Sequence, residues 1–213
     1  MTKATHKLFA LNAQPVLEFI NANPWIWTQS AQRQNRIAPF YQTESALILY
    51  NESNALSYIP HFNADLTDLF RLIIPCLSEI EARYPSGYWC KALLAKLKPG
   101  GEVKSHFDKG WPLAYEHRFH WVITTNPGVH INVNQRNFKF GANEVWEINN
   151  REVHSVVNSG NTERIHLIAD WVPDPKHKMH YWQPYLENSP EDLFFQTVDK
   201  ARARWGSANN PLY

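Results

Sequence analysis

Eight short β-rich runs separated by turn signals constrain this chain more than any other feature. They are "YWCKALLAKL", "GGEVKSHFD", "HRFHWVITT", "GVHINVN", "FKF", "NEVWEI", "EVHSVVN" and "RIHLIADW", all between Tyr88 and Trp171. Pro99-Gly100, Asn126-Pro127-Gly128 and Asn158-Ser159-Gly160 punctuate them, and residues of these types set the special backbone angles of tight turns. No helical pattern of crossover length lies between successive runs. A parallel α/β sheet is therefore disfavoured, and a β-sandwich or jelly roll is predicted.

The flanks differ in texture. "NAQPVLEFINAN" predicts a helix with Asn12 as its cap, Pro15 in the first turn, and Val16, Leu17, Phe19 and Ile20 on one face. "SALILY" (45–50) reads as a strand. Leu66, Leu69, Phe70, Ile73, Ile74, Leu77 and Ile80 recur at the helical period, with Pro75 expected to kink or split that helix. A last helix is predicted after Ser189, a capping residue followed by Pro190, Glu191 and Asp192. The expected organisation is one domain, 1–213. It comprises a helix-rich N-terminal part (1–87), a β core (88–172) and a C-terminal loop and helix (173–213).

Composition excludes several classes. Of 213 residues, 21 are Lys or Arg and 20 are Asp or Glu, spread without blocks, for a net charge of +1. That balance gives no footprint for nucleic acid or an anionic membrane. No apolar run approaches a membrane span, and the N-terminus lacks the apolar core of a signal peptide. The two cysteines, Cys76 and Cys90, are too few for a disulfide framework and read as buried free thiols. A cytoplasmic location is expected.

Chemistry-bearing residues fall inside the β runs. Residues two apart on a strand share a face. His106 and Asp108 do so, as do Arg118 and His120, and Arg164 and His166, while His154 sits in an otherwise apolar run. With ten His and seven Asp in the chain, about 0.3 His-x-Asp pairs are expected by composition, so the pair alone means little. Several buried polar residues aimed into one barrel do suggest a ligand cavity, because burying an unpaired charge is costly. Two histidines and a carboxylate can occupy one face of an octahedral ion, as in non-haem Fe(II) oxygenases. An arginine could grip a carboxylate deep in the barrel. Spacing leaves the second histidine open among His117, His120, His130, His154 and His166.

Taken in order, "AKLKPGGEVKSHFD", "EHRFHWVI", "FGANEVWEINNREVHSVVN" and "ERIHLIADW" resemble the aspartyl/asparaginyl β-hydroxylase family over about 85 residues, roughly 88–172. The shared features are a Pro-Gly turn seven residues before the first ligand, the Arg-x-His pair, a Gly-x-x-x-x-aromatic strand, the distal His, and an Arg ten residues after it. The resemblance implies a double-stranded β-helix that uses Fe(II), 2-oxoglutarate and O2. It implies His106, Asp108 and His154 as iron ligands, and Arg164 on the distal carboxylate of 2-oxoglutarate. Arg118 and His120 would lie near its keto-acid end. Lumenal animal members carry glycine where this chain has Asp108 and a co-substrate-binding serine where it has Ala95. His166, on the face of Arg164, is a candidate to compensate for that serine.

The implied reaction is hydroxylation of an unactivated C–H bond, with 2-oxoglutarate going to succinate and CO2. A free amino acid or small amino-acid derivative is the expected substrate, and an aspartyl or asparaginyl residue of a peptide or protein the alternative. Trp89, Lys91, Trp111 and Arg136 are candidates for the pocket mouth. A cupin-like metal protein competes, although cupins offer His-x-His with a downstream Glu and leave Arg164 without a task. A pure interaction module built on the nine tryptophans fits less well, because these are scattered along the chain.

Overall fold

The computed structural model describes residues 4–28, 42–50, 61–84, 87–108 and 116–173. Trp111 and the helix expected after Ser189 lie outside the described residues. Seven of the eight β runs are strands, and the eighth is displaced, with only Phe138 of "FKF" in its strand: β4 (Gly87–Leu97), β5 (Glu102–His106), β6 (His117–Thr124), β7 (Val129–Val133), β8 (Arg136–Phe138), β9 (Glu144–Ile148), β10 (His154–Asn158) and β11 (Arg164–Pro173). The N-terminal part adds β1 (Thr5–Ala10), β2 (Thr43–Tyr50) and β3 (His61–Phe62). The strands form a seven-stranded sheet, β1-β9-β6-β11-β4-β2-β3, and a four-stranded sheet, β5-β10-β7-β8, with antiparallel neighbours throughout. This is the jelly-roll arrangement expected from the strand spacing. Gly100, at φ 71, makes the sharp turn from β4 into β5 that brings the chain from the large sheet to the small one.

The large sheet is buried on both faces, and strand alternation sorts its side chains. Ile165, Leu167, Ala169 and Trp171 of β11, with Phe119 and Trp121 of β6, belong to a core shared with the helices. Leu97, Val122, Val129, Ile131, Val133, Ile148 and Val156 form a second core between the two sheets. The intervening residues of β11 and β6, including Arg164, His166, Asp170, Arg118 and His120, are buried polar groups facing the second core's side. A bulge at Cys90, where Asp170 pairs with Lys91 but Trp171 pairs with Trp89, reverses the alternation of β4. Trp89 consequently packs with the helices, away from the mouth position expected for it.

Helix α1 (Gln14–Ala22) buries Val16 and Ile20 and packs Leu17 and Phe19 partly against the same core. Ala13 is the capping residue by position, and the Asn12 side chain accepts a hydrogen bond from the Gln14 N–H at 3.1 Å. Helix α2 (Thr67–Glu81) differs from expectation, running unbroken through Pro75. A proline inside a helix costs about 3 kcal/mol. Leu69, Phe70, Ile73, Leu77 and Ile80 are buried on the opposite side, each worth about 1.5–3 kcal/mol. Packing therefore outweighs the proline, which sits exposed, as does Arg71, whose carbonyl loses its partner to the missing N–H. Pro75→Ala should raise stability by about 1–3 kcal/mol in urea unfolding; an unchanged midpoint would mean that the helix has already relaxed around the ring.

Cys76 and Cys90 are buried free thiols, as expected. Among the described residues, no helix is long and apolar enough to cross a membrane.

Candidate active site

His106 ends β5 and His154 begins β10, and the two residues are direct cross-strand partners. Their rings approach to 4.3 Å between centroids. Asp108 follows two residues after His106, where its backbone N–H is tied to the Asn150 carbonyl at 3.1 Å. One donor atom from each of His106, Asp108 and His154 lies within 4.8 Å of the others. Of the five histidines open to that role, His154 alone joins this group. His117 bonds Glu147 at 2.6 Å on the helix side, and His130 faces away from the inter-sheet core. His120 lies in the cavity wall beside Arg164, and His166 is buried against the same arginine.

The donors are pre-set for a cation. Nδ1 of His106 lies 2.7 Å from the Lys104 carbonyl, and Nδ1 of His154 lies 2.9 Å from that of Glu152. A carbonyl only accepts, so each ring carries its proton on Nδ1 and presents the Nε2 lone pair, the usual arrangement of metal-binding histidine. Burial pulls the His154 imidazole down to about 4, which the Glu152 carbonyl only partly offsets. It is neutral near pH 7. On Asp108, Oδ2 accepts from Arg118 Nη1 and from Asn150 Nδ2, the latter at 3.1 Å, which leaves Oδ1 for an ion. Burial works against the Asp108 carboxylate, but Arg118 and Lys91 outweigh it and hold the group below its ordinary range.

Behind Asp108 stands a residue that the sequence reading did not single out. Asp170 is 0% exposed, and its two oxygens accept from Arg118 Nε at 2.7 Å and Nη2 at 2.8 Å. Lys91 Nζ donates to the same carboxylate at 3.0 Å. Burial opposes this charge too, and the two cations overcome it, holding Asp170 well below the carboxylate range. Arg118 is thus fixed by two aspartates, one of them Asp108 of the candidate metal group, and it lines the cavity beside that group. Strand periodicity carried a signal for Asp170, which is in phase with Arg164 and His166 on one strand.

A cavity of about 400 Å³ opens between the sheets, with His106, Asp108, His154, Arg118, His120 and Arg164 in its wall. Arg164, 3% exposed, lies at the start of β11, six residues from Asp170. Its Nη2 lies 2.7 Å from His166 Nδ1 and 3.4 Å from His120 Nδ1. Burial, then the Arg164 charge, depresses both imidazoles strongly, so neither is a cation. Burial alone pulls Arg164 down to about 9. No carboxylate among the described residues bonds this guanidinium, and Arg164 Nε and His166 Nε2 are buried without a partner. His120, expected near the keto-acid end, sits at this arginine end. Ala95 lines the cavity beside Ser45, its cross-strand partner on β2. Lys91 also lines it, whereas Arg136 stands exposed on β8 of the small sheet.

A model of the aspartyl/asparaginyl β-hydroxylase family matches residues 62–173, more than half of the chain. A comparison with curated proteins finds no match. Among solved structures, an oxidoreductase of the 2OG-Fe(II) oxygenase family from Burkholderia pseudomallei superposes with a TM-score of 0.55 at 14% identity, covering 79% of this chain and 84% of its own. A viral collagen prolyl hydroxylase from Paramecium Bursaria Chlorella virus-1, in its 2OG complex, superposes with a TM-score of 0.47 at 12% identity, covering 79% and 95%. The first of these likenesses concerns the fold alone; the family match extends from β3 to the end of β11, through every strand that bears the clustered histidines, aspartates and arginines. The chain belongs to the aspartyl/asparaginyl β-hydroxylase family and is an Fe(II)- and 2-oxoglutarate-dependent hydroxylase.

Proposed function

We propose that this enzyme hydroxylates a free amino acid or a small amino-acid derivative. In this reading His106, Asp108 and His154 hold the iron, and Arg164 with His166 and His120 holds the distal carboxylate of 2-oxoglutarate. The carrying observation is Arg164, a buried guanidinium without a carboxylate partner among the described residues. A charge in that setting demands an anion, and a planar fork suits a carboxylate. The orphaned Arg164 Nε and His166 Nε2 mark donors waiting for it. The donor set at the other end, two neutral imidazoles and one carboxylate, suits Fe(II) with three positions left open.

With iron bound, the site supplies oxidation of 2-oxoglutarate by O2 to succinate and CO2, coupled to hydroxylation of a C–H bond. The chain's own part is positioning. Backbone carbonyls fix both imidazoles, while Arg118 and Asn150 hold one Asp108 oxygen and leave the other available to a metal that would bind here. Leu93, Ile131, Val156 and Ile168 keep the cavity wall apolar and exclude water. A volume of about 400 Å³ is that of a small-molecule pocket, which favours a free amino acid over a folded protein.

Anaerobic addition of Fe(II) and 2-oxoglutarate to the protein tests this directly. A metal-to-ligand charge-transfer band is expected, followed in air by succinate formation that rises with one or more free amino acids. Iron uptake without the band would overturn the co-substrate assignment. Asp108→Gly removes a ligand outright and should weaken Fe(II) binding by more than about 100-fold, beyond the roughly 10- to 100-fold cost of losing an outer partner. Unchanged affinity in equilibrium dialysis would remove Asp108 from the ligand set.

A further inference from the structure

We propose that Lys91 anchors a carboxylate of the substrate, which makes the cavity selective for an acid over the corresponding amide. This rests on the hydroxylase reading above and names the chemistry of its substrate end.

Lys91 lies on β4 directly opposite Asp170 of β11, so it stands six residues along the strand from Arg164. At about 3.3 Å per residue, that is about 20 Å. The cavity wall therefore carries a cation toward each end, with the His106–Asp108–His154 group near the Lys91 end through the Asp108–Arg118–Asp170 chain. A co-substrate reaching from Arg164 to that group leaves Lys91 to whatever lies beyond. Arg118 has its Nε and both terminal nitrogens bound to Asp108 and Asp170. Lys91 differs. Its side chain is 22% exposed, and one hydrogen bond to Asp170 uses only one of the three donors of an ammonium.

Charge points the same way. Lys91, Arg118 and Arg164 are three fixed cations facing two carboxylates, Asp108 and Asp170. The remaining acid of this cluster, Glu116, is pushed well above the carboxylate range by burial and by Asp170, so it adds no negative charge near pH 7. Fe(II) and the 2-oxoglutarate dianion cancel one another. One positive charge is then left in a confined, largely apolar space, where an anionic group is favoured.

The test is calorimetric, in the anaerobic Fe(II)- and 2-oxoglutarate-loaded protein, so that no turnover occurs. The twenty common amino acids are titrated beside their α-carboxamides, with the Asp/Asn and Glu/Gln pairs comparing side-chain acids. At least one acid should bind tenfold or more tightly than its amide. Lys91→Met should bring that ratio within twofold while the charge-transfer band persists, and Lys91→Arg should restore most of it. Amides binding as tightly as acids, or no acid binding at all, would overturn the proposal. So would a Lys91→Met variant that keeps the discrimination, or one that loses 2-oxoglutarate affinity, since Lys91 would then serve the co-substrate. Absence of the band in the parent protein sinks the hydroxylase reading itself; a normal band without acid selectivity sinks only this inference.

Discussion

Arg164→Met should weaken 2-oxoglutarate binding by at least about 100-fold, or about 3 kcal/mol, and abolish the charge-transfer band while Fe(II) still binds. The size follows from losing a two-pronged, charge-assisted contact in a buried site. The same substitution should leave the free protein no less stable, and more stable by about 1–2 kcal/mol if the cavity wall closes over the methionine. Arg164 is buried with only neutral imidazoles against its Nη2, so the folded enzyme tolerates an uncompensated charge until an anion arrives. Urea unfolding and anaerobic titration on one preparation check both halves. A variant that loses stability and retains the band would show that Arg164 serves the scaffold.

The second large effect concerns Asp170. Asp170→Asn should cost about 3–5 kcal/mol, because it leaves Arg118 and Lys91 facing an amide in the interior. It should also lower Fe(II) affinity by about 10- to 100-fold, since Arg118 would no longer hold Asp108 in place. Arg118→Met in the same background should cost less than the two single changes together, by about 1 kcal/mol or more. The pH dependence has a definite sign. The folded Asp170 carboxyl titrates below its unfolded counterpart, so its stabilisation is complete above the unfolded range near pH 4 and is lost as the pH falls below it. The variant's stability should be flatter across that acid limb. Additive costs, or an unchanged acid limb, would mean that the three groups do not act as a unit.

The helical segments illustrate how far local pattern reaches. The spacing of apolar residues located α1 and α2 and their buried faces correctly, because amphipathic periodicity is a property of the chain itself. It misjudged Pro75, whose local penalty is real but smaller than the burial of the opposite face. Strand β1 was not anticipated. "THKLFA" groups its apolar residues at Leu8, Phe9 and Ala10 without the alternation of a strand, and it becomes one because it pairs along β9.

The sequence by itself determined seven of the eight core strands, the two-sheet class and the candidate ligands, since alternation and turn chemistry are encoded within a few residues. The ordered motif run also carried the family. Tertiary structure alone decided which polar residues meet. His154 joins His106 because β10 pairs with β5, and His117 is turned away by the alternation of β6. Arg118 belongs to Asp170 and Asp108, and Lys91 reaches the cavity where Trp89 does not, because a single bulge at Cys90 shifts the alternation of β4. Such outcomes depend on register between strands distant in sequence, where a slip of one residue exchanges the two faces of a sheet, and no local pattern records that choice.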